Sequence, residues 1–119
     1  MQRPNVPYGT HPYPGKESWC DGDVSCMRNS WDHKFGDVSE DYPVIVTEIG
    51  WKPDGSGKEW DDSTERFGEP FIDYLNEKGI GYSIMSFTTG YFMKLLETLE
   101  PDYTPSPAGQ FIKDDLAQG

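Results

Sequence analysis

The sequence predicts an α/β protein built on a short parallel sheet, and three observations carry that reading. The run Tyr42-Pro43-Val44-Ile45-Val46-Thr47-Glu48-Ile49-Gly50-Trp51 holds four apolar, largely β-branched positions. A Val/Ile run without polar alternation suggests a strand covered on both faces. Strand-like and helix-like stretches also alternate along the 119 residues, which implies parallel strands joined by right-handed crossovers. Finally, Gly79 closes a helical pattern directly ahead of the apolar stretch Ile80 to Phe87, as a residue just past a helix end does.

Taken in order, Met1 to Lys16 reads as a first strand with its exit loop, and His11 and Tyr13 share a face by their i, i+2 spacing. Glu17 to Arg28 reads as an irregular polar insertion, long for a strand-to-helix connection. A helical turn follows around Asn29 to Val38, then the strand Val44 to Glu48. Lys52 to Lys58 carries Pro, Asp, Gly and Ser and reads as a loop. Asp62-Ser63-Thr64-Glu65 supplies a helix cap with acid in the first turn, and Phe67, Phe71, Tyr74 and Leu75 recur at helical spacing behind it. Ile80 to Phe87 is the third strand. Tyr91 to Leu99 and Ser106 to Ala117 read as the last two helices.

The net charge of −11, from 10 basic and 21 acidic residues, argues against nucleic acid or an anionic membrane as partner, since both require clustered Lys and Arg. No run approaches the roughly 20 apolar residues of a membrane span. Aromatic residues make up 14% of the chain. On so polar a chain that fits sugar binding, where ring faces stack on a pyranose, and it equally fits core filling. Trp19 and Trp60 lie in polar loops, where an exposed indole suggests a binding surface. Cys20 and Cys26 could close a disulfide or remain free thiols. Their C-x5-C spacing, with neither His11 nor His33 paired near it, does not make a zinc site. Asp21, Asp23, Ser25, Asn29 and Asp32 follow the ligand spacing of a calcium loop, but Cys26 stands where that loop needs glycine. No metal or cofactor is expected.

Chemistry in parallel α/β sheets gathers at the carboxyl ends of the strands, where the loops converge. Glu48 sits at such an end. The order His-x-Tyr (His11, Tyr13), Trp-Asp-x-x-Phe-Gly (Trp31 to Gly36) and Pro-Val-Ile-x-Thr-Glu-x-Gly-Trp (Pro43 to Trp51), closed by Tyr103 to Lys113, resembles the C-terminal part of glycoside hydrolase family 5, the cellulase-type (β/α)8 barrels. The resemblance runs from about Asn5 to Leu116. A full barrel needs about 250 residues, so residues 1–119 are expected to be a partial barrel holding the last three strand-helix units, with 17–28 and 52–61 as loop insertions.

The resemblance implies retaining hydrolysis of a β-linked glucan or mannan, with Glu48 as nucleophile. Tyr13 matches the tyrosine that donates to it, and His11 matches the histidine beside it in the cleft. Trp51 follows Glu48 by three residues and either lines the cleft or packs under the loop. Met85 stands where the family usually presents a tryptophan platform, which leaves a soft apolar contact without a flat ring. The general acid/base of the family has no counterpart here, because Glu69-Pro70 follows Gly68 rather than Asn.

Three parallel strands leave two unpaired edges, so a complementary chain or self-association is expected to cover them. The family also suggests a secreted protein. No signal peptide is seen, and in a fragment that carries no weight. The rival reading is a non-catalytic truncated barrel that binds carbohydrate or assembles with itself.

Overall fold

The computed structural model describes residues 7–52, 63–90 and 93–118. Three strands, β1 (Tyr8–Thr10), β2 (Val44–Ile49) and β3 (Gly81–Ile84), form one parallel sheet in that spatial order. Helix α1 (Val24–Trp31) connects the first pair, helix α2 (Glu69–Lys78) the second, and α3 (Pro107–Gln118) ends the chain. This is the α/β partial-barrel arrangement expected from the sequence.

The stretch 17–28 corrects one expectation, because it is helical rather than irregular. A 3-10 segment spans Pro14–Cys20 with Pro14 in its first turn, where the ring presets φ and the missing N–H costs nothing. Asp23 then caps α1, its carboxylate accepting from the backbone N–H of Cys26 at 2.9 Å. A disulfide joins Cys20 to Cys26 and ties the two helical segments together. The helical path continues through a π-turn at Asp32–Gly36 and a 3-10 turn at Val38–Glu40. The predicted loop 52–61 lies outside the described residues except for Lys52, and Trp60 lies outside them as well.

Helix α2 follows its sequence signals closely. Ser63 Oγ accepts from the Arg66 N–H at 3.1 Å, and Gly79 adopts the left-handed φ of 69° that ends the helix. The apolar positions of α1 and α2 meet in an aromatic core. Trp31 is fully buried, with its ring centroid 4.9 Å from Phe71 and 5.2 Å from Tyr74, and Phe67 stacks on Phe71 at 5.2 Å. Val46 and Ile49 of β2 close this core from the sheet side.

Among the described residues the sheet is covered on one face only, which revises the reading of the Val/Ile run. Thr10, Val46 and Tyr82 pair across the sheet on the helix side, where Val46 is fully buried. The alternate row Gly9, Ile45 and Gly81 is exposed, and so are Thr47 and Ser83 one step further on. Ile45, apolar on this row, stays 38% exposed among the described residues.

Residues 93–99 contain no helix, contrary to the pattern read over 91–99. Ser106 takes the acceptors that a helix would use. Its N–H donates to the Leu95 carbonyl at 2.8 Å and its hydroxyl to the Lys94 carbonyl at 2.7 Å. The N–H of Leu95 returns to Ser86 O at 3.0 Å, so this segment is stitched to the exit of β3. The same Ser106 Oγ accepts from Gly109 N at 3.0 Å and starts α3.

Two phenols, the buried Tyr74 and the half-buried Tyr82, give the fold an alkaline limit. Burial first, then the hydrogen bond each donates to a carboxylate, pushes Tyr74 (to Asp32, 2.6 Å) and Tyr82 (to Asp115, 2.6 Å) well above the ordinary tyrosine range. Above a pH of about 10 the unfolded chain loses these protons while the folded chain keeps them. Stability is therefore fully present below that pH and falls as pH rises through it. Urea midpoints taken from pH 8 to 12 should decline steeply only in the upper half, and Tyr82→Phe should flatten that decline.

Candidate active site

Glu48 reaches its position through an irregularity in the sheet. Val46 pairs with Tyr82 and Ile49 with Ile84, a step of three residues on β2 against two on β3. The extra residue acts as a bulge, which re-aims side chains locally. Val46 and Ile49 can then both face the helices, while Glu48 turns to the C-terminal end of the sheet and stays 39% exposed.

There the chain brings together four of the five predicted site residues. Tyr13 donates its phenolic proton to Glu48 Oε2. His11 lies beside the same oxygen, with Nδ1 at 3.8 Å, too long for a hydrogen bond but close enough to stabilise a carboxylate when the ring is protonated. Its Nε2 is 2.9 Å from Thr47 Oγ1, and that bond fixes the ring plane. Met85 Sδ lies 3.2 Å from Tyr13 Oη, so the half-buried thioether packs against the phenol that orients the carboxylate. Met85 is carried there by the exit of β3, where its N–H donates to Ile49 O at 2.7 Å.

Trp51, the fifth, is not at the site. It is 1% exposed, its indole N–H donates to Thr64 Oγ1 at 2.9 Å, and it packs edge-on against Phe67 and Phe111. Of its two readings, packing beneath the loop is the one realised. A Cβ added at Gly68 would lie 2.4 Å from the Trp51 ring, so only glycine admits the indole here. Thr47 is the residue that motif reading missed. A strand read as covered on both faces does not place it; period-2 alternation from Ile45 is the signal that puts it on the open face, within reach of a ring leaving β1.

The acidic residues spaced like a calcium loop point elsewhere. Asp23 caps α1, Asp21 faces Arg66 at 3.4 Å and Asp32 accepts from Tyr74. Among the described residues no three His, Cys, Asp or Glu side chains converge on one point. Nor is any helix among them long and apolar enough to cross a membrane.

A carboxylate at a parallel strand end, held by a tyrosine from the exit loop of the neighbouring strand rather than from the strand itself, fits a segment of a (β/α)8 barrel. No family model matches the chain, and no curated protein does. Solved structures do. The native β-glucanase SdGluc5_26A from Saccharophagus degradans is similar over 98% of this chain, with a TM-score of 0.83 and 31% identity. The same enzyme in complex with cellotetraose gives the same coverage and TM-score at 30% identity. The chain spans 35% of the length of that β-glucanase. It corresponds to a C-terminal part of a cellulase-type barrel of glycoside hydrolase family 5.

Proposed function

We propose that this chain supplies the nucleophile half of a retaining β-glycosidase, with Glu48 attacking the anomeric carbon of a β-linked glucan. The observation that carries this is the Tyr13–Glu48 hydrogen bond at the open end of the sheet. A nucleophilic carboxylate has to stay ionised and oriented, and a phenol donor does both. Tyr13 occupies Oε2, whereas Oε1 accepts no hydrogen bond among the described residues and is the oxygen available for attack. Retention requires a second carboxyl group about 5 to 5.5 Å away to protonate the leaving group. Among the described residues no second carboxyl group stands beside Glu48, and we assign that group to the remaining strands of the barrel. The β-glucanase likeness and its cellotetraose complex favour glucan over mannan.

The same division accounts for the open surfaces. The exposed row at Gly9, Ile45 and Gly81 and an apolar groove of about 520 Å³ lined by Ile84, Leu95, Leu96, Ile112 and Leu116 are the faces that a complementary polypeptide, or a second copy, covers. The Cys20–Cys26 disulfide suits an oxidising, extracellular setting.

Removing the phenolic hydroxyl in Tyr13→Phe should cost about 10- to 100-fold in kcat, the scale of one hydrogen bond to a charged group. Steady-state kinetics on an aryl β-cellobioside by the chain joined to the remaining strands would measure it. The mechanism itself is tested by proton NMR during hydrolysis of cellotetraose by the same assembly. The β-anomer should appear first, and an α-anomer formed first would remove the nucleophile role. Binding of cellotetraose without hydrolysis by the completed barrel would support the rival, a non-catalytic carbohydrate-binding protein.

A further inference from the structure

We propose that Trp19 is the platform of a second oligosaccharide-binding groove, separate from the Glu48 carboxylate, which takes a short neutral β-linked oligosaccharide across Asn29, His33 and Asp37. Trp19 is 70% exposed. A single exposed apolar residue is ordinary on a protein surface, so exposure alone carries nothing here. What distinguishes Trp19 is how it is held and what stands beside it.

Two ties fix its backbone to α1. Two residues before it, Glu17 is buried with no exposed side-chain surface, and its Oε1 accepts from Ser30 Oγ at 2.8 Å and from Lys34 Nζ at 2.5 Å. Directly after it, buried Cys20 is bonded to Cys26. The indole is thus presented on a segment clamped from both sides, and binding loses little freedom in ordering it.

Beside it runs a groove of about 660 Å³, within the range of small-ligand sites. Asn29, His33 and Asp37 line this groove at intervals of four residues along α1 and its π-turn extension. All three are exposed, and among the described residues their side chains make no hydrogen bond or ion pair. An amide, an imidazole and a carboxylate with free donors and acceptors, spaced along a fixed aromatic face, match a sugar. The pyranose C–H face stacks on the ring while its hydroxyls bond to the polar row. Cation and anion are both poor matches, since the lining mixes Lys34 with Asp32 and Asp37. The polar lining also sets this groove apart from the apolar one at Ile84 and Leu96 that barrel strands would cover.

None of His11, Tyr13, Glu48 and Met85 lines the groove. The choice of a β-linked sugar rests on the glucan reading above; the existence of the groove does not. The test is a titration of the 15N-labelled chain, joined to the remaining strands of the barrel, with cellotetraose, followed by NMR at the Trp19 indole N–H, the Asn29 side-chain amide and the Tyr13 and Glu48 backbone amides. Resonances at Trp19 and Asn29 should move together with one saturation curve. Trp19→Ala should weaken that curve at least about 10-fold while any response at Tyr13 and Glu48 is retained, and Asn29→Ala should weaken it less. Movement at Trp19 with none at Glu48 would support the groove while counting against the glucan cleft. Trp19 and Asn29 resonances that stay still at millimolar cellotetraose, or that shift equally in Trp19→Ala at Asn29, would overturn the proposal.

Discussion

Glu48→Gln should abolish glycoside turnover, by roughly 10,000-fold or more in kcat, the scale on which a covalent catalyst fails when its nucleophile is removed. The amide keeps the shape of the side chain and can still meet the Tyr13 hydroxyl, so the fold and the cleft are preserved. What it loses is the anionic oxygen that forms the bond to the anomeric carbon. The loss should therefore appear in kcat, with cellotetraose affinity little changed. The measurement requires the chain joined to the strands that bring the general acid. Turnover undiminished in Glu48→Gln would dismiss the hydrolase mechanism and leave the binding or assembly reading in place.

Trp31→Ala should be the most damaging single change to the fold. Trp31 is fully buried and meets Phe67, Phe71 and Tyr74 at centroid distances from 4.9 to 6.1 Å. Truncating a buried aromatic leaves a cavity as well as losing its transfer energy, about 3 to 5 kcal/mol together. That is a large share of the roughly 5 to 15 kcal/mol that stabilises a typical domain. Urea unfolding followed by far-ultraviolet circular dichroism should show the midpoint collapse. By comparison, Trp19→Ala on the exposed 3-10 segment should leave the midpoint unchanged.

The sequence made much of this legible, for physical reasons that differ by element. Helix α2 carried its own start and stop in Ser63 and Gly79, and local signals of that kind do not depend on the rest of the fold. Glu48, Tyr13 and His11 are legible through motif order, and the structure brings their side chains together from β2 and from the exit loop of β1. The bulge that turns Glu48 was not readable, since it depends on register with β3 rather than on any residue in β2. The residues 17–28 looked irregular because their polar composition hid a proline start, an aspartate cap and a disulfide acting together. Residues 93–99 looked helical because apolar spacing says nothing of Ser106, eleven residues beyond Leu95, which claims their carbonyls. Trp51 was ambiguous by position alone, and only the gap at Gly68 decided that it points inward.

The account rests on Glu48 forming a bond to sugar, and that bond can be trapped. A 2,4-dinitrophenyl 2-deoxy-2-fluoro-β-cellobioside carries a leaving group that departs without acid help, while the fluorine slows release of the glycosyl ester formed on the enzyme. Incubated with the chain joined to its remaining strands, digested and read by tandem mass spectrometry, it should place the fluorocellobiosyl group on Glu48, in the peptide that contains Val44 to Trp51. Release of dinitrophenolate with the label on another carboxylate, or with no ester at Glu48, would contradict the account.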